Sequence, residues 1–236
     1  MTDQMAAAFD PARMQQYYPI FLDLIDKPVI VIGGGAVACE KVAGLRKARA
    51  RITVVCPELA PELAELRDAG ELTHIHRPWQ VADLDADWAV VMVATDDGAV
   101  NREVTAEARA RRIWVNAADD PVNCDFILPS VVRQGKITVA ASTAGTSPAL
   151  ARRLREELEA YLTPEMATLA DLLAEVRVEV RRRGIRVPAE TWQEAIDEHL
   201  RVLLAQRRHE QARVYFLDRL GVAEALAAPI EEEVRA

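Results

Sequence analysis

Four short stretches of the chain hold residue types whose spacing suits chemistry. The first is Gly33-Gly34-Gly35-Ala36-Val37-Ala38, a G-x-G-x-x-A string. Glycine at 33 permits a tight turn, glycine at 35 lets backbone N–H groups approach a pyrophosphate, and alanine at 38 allows a helix to pack close to a strand. A helix starting there adds partial positive charge from its own N-terminus. This points to nucleotide binding, against a plain glycine turn in some other α/β protein.

Two further stretches are acidic: Ala94-Thr95-Asp96-Asp97 and Asn116-Ala117-Ala118-Asp119-Asp120-Pro121. Each follows an apolar run, which puts them on the rim where open α/β sheets hold ligands. Paired carboxylates there bind a metal, act as bases or cap the next helix. Capping is the expectation for Asp97, and Asp119 stands between turn former and general base. The fourth stretch, Ser142-Thr143-Ala144-Gly145-Thr146-Ser147-Pro148, brings hydroxyls to a helix start and is followed by Arg152 and Arg153. Such a loop suits carboxylates or phosphates, or is simply a capped turn.

The acid that usually holds the adenosine ribose is missing. Its position carries Cys56, with Glu58 two residues on, and no arginine follows to receive a 2′-phosphate. NAD rather than NADP is the expected cofactor, its hydroxyls met by Glu58 or by backbone. Cys56 reads as a buried filler, because no histidine is near it in sequence. His74 and His76 lie two apart on a strand with no third ligand, so a solvated strand is expected and no metal site. His199 and His209 read as surface residues.

Positioning these groups requires a specific order of elements. Val29-Ile30-Val31-Ile32 is a β-branched run with no polar alternation, as in a parallel strand covered on both faces. Ala36 to Ala48 carries Val37, Val42, Ala43 and Leu45 at helical spacing, and Ile52 to Val55 is a second buried strand. The alternation continues with a helix over 61–69, strands over 72–76 and 88–94, a helix over 99–111 and a strand over 113–116. This is a doubly wound, mostly parallel sheet. Phe126 to Val132 and Ile137 to Ala141 then read as two strands about a glycine turn. Beyond Ser147-Pro148 helices start at Pro148, at Pro164 (stopping at Gly184) and at Pro188. The expected divisions are a leader over 1–18, a nucleotide-binding domain over 19–116, a small β segment over 117–147 and a helical domain over 148–236.

Composition removes other classes. The chain has 236 residues with net charge −8 and three cysteines. Neither half is basic, so a nucleic-acid partner is not expected. Three well-separated cysteines form no disulfide framework, and no apolar run is long enough for a bilayer, so a cytoplasmic protein without a membrane partner is expected.

Together, GGGAVACEKVAGL, VMVATDDGAVN, VNAADDPVNCDFILPS and VAASTAGTSPALARRLRE resemble, in order and spacing, the precorrin-2 dehydrogenase family, which includes the amino-terminal module of siroheme synthase. The resemblance covers about residues 17 to 161. It implies a Rossmann domain, a small dimerisation segment at 117–147 and a helical C-terminal domain, working as a homodimer. It implies oxidation of precorrin-2, a tetrapyrrole, to sirohydrochlorin by hydride transfer to NAD, and in some members insertion of Fe2+ as a second substrate, on the way to sirohaem or cobalamin. The family's catalytic aspartate falls on Asp119. The cofactor would meet Gly33, Gly35, Ala36, Val37, Ala38, Glu58, Thr95 and Asp96. The polycarboxylate substrate would meet Asn116, Ser142, Thr143, Thr146, Ser147, Arg152 and Arg153. Two positions depart from the pattern: Thr143 stands where some members have serine, which bears on iron insertion. Arg49 stands where a glycine often ends the first helix. An NAD-sensing regulator with a helical effector domain is the competing expectation.

Overall fold

The computed structural model describes residues 17–118, 120 and 123–228. It divides into two compact units, 1–128 and 129–236.

In unit 1 the β-branched runs form five parallel strands: β1 (Pro28–Ile32), β2 (Arg51–Cys56), β3 (Thr73–His76), β4 (Val90–Val93) and β5 (Trp114–Ala117), in the order β3-β2-β1-β4-β5. Both sheet faces are covered. On one face Val29, Val31, Val54 and Met92 meet Ala38, Val42 and Leu45 of helix α1 (Ala36–Lys47) and Leu63 of α2 (Pro61–Asp68). On the other, Ile30, Ile32, Val91 and Val115 meet Val104 and Ala108 of α3 (Gly98–Ala110) and Leu84 of a short 3-10 turn. The buried stripe of α1 is Ala38, Lys41, Val42 and Leu45, while Val37 and Ala43 face out. The expected stripe was therefore rotated, because it left a lysine out.

Helix α1 ends with Arg49 in the left-handed region, φ 58°. The Arg49 N–H bonds Arg46 O and the Ala50 N–H bonds Leu45 O, a closed Schellman end built without its usual glycine. Arg112 and Arg207 end their helices in the same way.

The first unit does not stop at residue 116. The Asn116 amide donates to Phe126 O (2.9 Å) and the Asp125 N–H donates to Val115 O (2.8 Å), tying the segment after β5 back onto the strand. Phe126 thus packs with the sheet core and does not begin a strand. The strand expected over 126–132 is instead β6 (Ser130–Gln134), which starts only after Pro129, a residue with no N–H to offer a ladder.

In unit 2, β6 pairs antiparallel with β7 (Ile137–Ala141) around Gly135-Lys136, and α4 (Pro148–Tyr161) packs against both. Helices α5 (Pro164–Arg182), α6 (Ala189–Glu194), α7 (Glu198–Ala205), α8 (His209–Leu220) and α9 (Ala223–Ala227) follow. Their core includes Leu172, Val176, Leu200, Leu204 and the fully buried Phe216. The single helix expected from Pro188 is four. Asp197 caps α7 by accepting from Leu200 N (2.9 Å), and the left-handed Arg207 and Gly221 end α7 and α8. His199 stacks edge-on with Tyr215, and His209 opens α8 at the surface.

Candidate functional site

The rim of unit 1 is built by the carboxyl ends of β1, β2, β4 and β5. The Gly33 N–H bonds Val55 O (3.0 Å), which turns the chain out of β1 with φ 114°. Gly34 is wedged against the next loop: a Cβ there would lie 2.4 Å from both Cys56 Sγ and Glu58 O. A Cβ on Gly35 meets nothing within 4 Å. Gly35 is the N-cap of α1, no side chain caps that end, and Gly35, Ala36 and Val37 are exposed while Ala38 packs into the core. An uncapped, exposed helix start beside an unfilled glycine is a cradle for a phosphate group. The residues therefore fit the pyrophosphate of a dinucleotide.

Next to it, β4 delivers Thr95 and Asp96. Thr95 Oγ1 donates to Asn101 Oδ1 (2.6 Å) and the Asn101 amide donates to Thr95 O (3.0 Å), which fixes the loop. Asp97 caps α3 by accepting from Ala99 N (2.8 Å), as expected, and leaves Asp96 exposed. At the end of β2, Glu58 is exposed and Cys56 is buried. Burial pushes the Cys56 thiol up from its ordinary pKa. Cys56 does have a histidine beside it in space: His74 donates Nε2–H to Cys56 O (3.0 Å), lies 3.5 Å from Cys56 Sγ, and stacks on His76. His74 is half-buried rather than solvated. Among the described residues no three His, Cys, Asp or Glu side chains are placed to hold a metal ion.

Asn116, at the end of β5, is buried and engaged on both sides. Its Oδ1 accepts from Lys41 Nζ (2.7 Å), and its Nδ2 bonds Phe126 O and faces Cys124 Sγ at 3.5 Å. Cys124 donates to Ala117 O (3.0 Å), and burial raises its thiol pKa above the ordinary value. Asp119 lies outside the described residues.

Unit 2 holds the other expected contacts. Ser142 Oγ accepts from Ala144 N (3.0 Å), Thr143 Oγ1 donates to Ser147 O (3.1 Å), and Ser147 Oγ caps α4 by accepting from Leu150 N (3.2 Å). Thr146 is exposed. Arg153 pairs with Glu157 (2.8 Å), and Arg152 is exposed beside it, both lining an open recess of about 320 Å³ with Pro148, Ala149 and Glu156.

The motif reading missed three residues: Gly34, Lys41 and Cys124. Only Lys41 left a sequence signal, a cation at an apolar-stripe position of a helix.

Residues 20–130 match an NAD(P)-binding family model and residues 134–161 match the model for the central part of sirohaem biosynthesis proteins. The siroheme synthase of Thioalkalivibrio sulfidiphilus is 39% identical over 199 residues, covering 84% of this chain and 40% of that protein. That of Methylobacillus flagellatus is 45% identical over 165 residues, covering 70% and 35%. The chain thus spans about two fifths or less of the length of these siroheme synthases. The solved structure of SirC, a precorrin-2 dehydrogenase, matches with TM-score 0.70 at 29% identity, over 87% of this chain and 99% of that one. Every stretch that carried the resemblance lies within these matches, which make the chain similar to siroheme synthases over part of their length and to SirC over nearly all of its length.

Proposed function

We propose that this chain is an NAD-dependent dehydrogenase that oxidises precorrin-2 to sirohydrochlorin. The observation that carries the proposal is the open cradle at Gly35, directly beneath an uncapped helix end. NAD, when bound there, supplies a hydride acceptor. Gly33 would hold the tight turn, Gly35 would make room for the pyrophosphate, the backbone of Ala36, Val37 and Ala38 would donate to it, and Thr95 and Asp96 would flank it. The exposed Glu58 carboxylate suits ribose hydroxyls and repels a 2′-phosphate, which favours NAD over NADP.

Oxidation removes a hydride and a proton from the macrocycle. Asp119 is the proposed proton acceptor, following β5 by two residues in sequence. Ser142, Thr143, Thr146, Ser147, Arg152 and Arg153 are proposed to receive the substrate's carboxylates, an arginine pair being the natural match for them. Asn116, expected to meet the substrate, is buried and bonded on both sides, so it is proposed to serve the site through the segment it ties down. Ferrous iron would be a second substrate, with a carboxylate taking pyrrole protons as the metal enters. Faster uptake of Fe2+ by sirohydrochlorin with the chain than without it, in the absence of NAD, is the expected outcome.

A homodimer through the β6–β7 region is part of the proposal. Among its apolar residues only Val132 is buried, and α4, which packs on the ribbon, has no buried residue, so much apolar surface of both is left open. The deciding experiment is anaerobic conversion of precorrin-2 followed at the NADH band. Growth of NADH with sirohydrochlorin supports the dehydrogenase, and binding of NAD without turnover favours the sensing regulator.

A further inference from the structure

His74 sits on β3, the outermost strand beside β2, and pairs with Val54, so its side chain lies on the sheet face that carries Val54 and Cys56. An aliphatic side chain would pack well against those neighbours. The position instead holds an imidazole that reaches past Val54 to the end of β2, where its Nε2 lies 3.0 Å from Cys56 O and 3.5 Å from Cys56 Sγ. A carbonyl oxygen only accepts, so Nε2 carries the proton.

Cys56 opens the corner that leads to the exposed Glu58. Burial raises the Cys56 thiol pKa, and a hydrogen bond from the Glu58 backbone draws it partly back, so the corner folds over its own sulfur. The glycine loop is pressed onto the same spot, since a Cβ on Gly34 would lie 2.4 Å from both Cys56 Sγ and Glu58 O. That loop has its own staples: the Gly33 N–H bonds Val55 O (3.0 Å) and the Ala60 N–H bonds Gly34 O (2.8 Å). Neither staple involves His74. The Cys56-Pro57-Glu58 corner lacks one backbone donor outright, because Pro57 has no N–H, and His74 supplies a hold from the neighbouring strand.

We propose that His74 is a positioning residue for cofactor choice: by gripping Cys56 O from β3 it fixes the corner that aims the Glu58 carboxylate at the adenosine ribose, and so sets the preference for NAD over NADP. This rests on the reading of unit 1 as a dinucleotide site with Glu58 at the ribose. With the corner loose, Glu58 no longer stands where it accepts from a ribose hydroxyl and repels a 2′-phosphate. The phosphate cradle keeps its own bonds and is spared.

The test titrates NADH and NADPH by fluorescence into the intact chain, His74→Leu and His74→Gln. In His74→Leu, NADH affinity falls about tenfold while NADPH affinity changes by less than about threefold, so the preference narrows. The glutamine amide donates to the same carbonyl, and His74→Gln keeps the parent's preference within about twofold. A role confined to stability would weaken both dinucleotides alike. A leucine variant with the parent's preference, a glutamine variant narrowed as far as the leucine one, or a parent that takes both dinucleotides equally overturns the inference. A parent that binds neither overturns the functional reading itself. Independently of any variant, the ring nitrogen-15 signals of His74 are readable because His76, His199 and His209 are the only other histidines. The neutral ring holds its proton on Nε2, and a proton on Nδ1, or shared between the two nitrogens, overturns the inference.

Discussion

Gly33 lies so close to Ala94 that a Cβ on the glycine would stand 2.2 Å from the Ala94 carbonyl oxygen. At φ 114° a side chain is strained there whatever the space. Gly33→Ala therefore destabilises unit 1 by roughly 2–5 kcal/mol. Gly35→Ala, in open space with ordinary φ, costs about 1 kcal/mol or less. Gly35→Asp leaves the fold intact but weakens NADH binding by about 100-fold or more, since a carboxylate then faces the pyrophosphate. Urea unfolding and fluorescence titration read the two effects apart. Unchanged NADH affinity in Gly35→Asp would remove the nucleotide site.

Asp119→Asn keeps size and loses the proton-accepting charge. NADH affinity should hold while kcat for precorrin-2 falls by about 10²–10⁴. A variant that turns over at the parent's rate assigns the base elsewhere, and one that loses NADH binding makes Asp119 part of the cradle.

Arg77 donates to both carboxylate oxygens of Asp83, whose side chain is 5% exposed. That guanidinium holds the Asp83 carboxyl below the usual carboxylate range. The native state then favours the charged form, so the stabilisation is complete above the ordinary carboxylate pKa and disappears as pH falls through the lower native value. Asp83→Asn should cost about 1–3 kcal/mol at neutral pH. In urea titrations across pH the two proteins converge on the acid side. A gap that persists into acid would mean the loss came from packing.

Arg49 carries a left-handed backbone that glycine adopts freely. Its exposed side chain has no part in the Schellman bonds, so Arg49→Gly should stabilise unit 1 by about 1 kcal/mol. A fall in thermal midpoint would show that the arginine side chain contributes more than its backbone costs.

The sheet was legible because its strands are buried on both faces and read as unbroken apolar runs, and the glycine turn because its backbone demands are local. Contacts between distant residues were not. Nothing in the neighbourhood of Lys41 names Asn116, and nothing near Cys56 names His74, since sequence patterns report faces and spacing but not which faces meet. The 126–132 strand failed for a related reason: Phe126 is apolar because it covers the sheet. The long C-terminal helix failed because apolar periodicity runs on past Asp197, while a single capping carboxylate is enough to restart the chain.

Among the described residues, the ribbon β6–β7 has no strand partner at either outer edge. Where a second copy supplies the missing cover, mass action enters the folding equilibrium of unit 2, and each tenfold dilution takes about 1.4 kcal/mol from every dimer. Its melting point should then drift downward on dilution, whereas unit 1, with both sheet faces already roofed by its own helices, should melt at one temperature whatever the concentration.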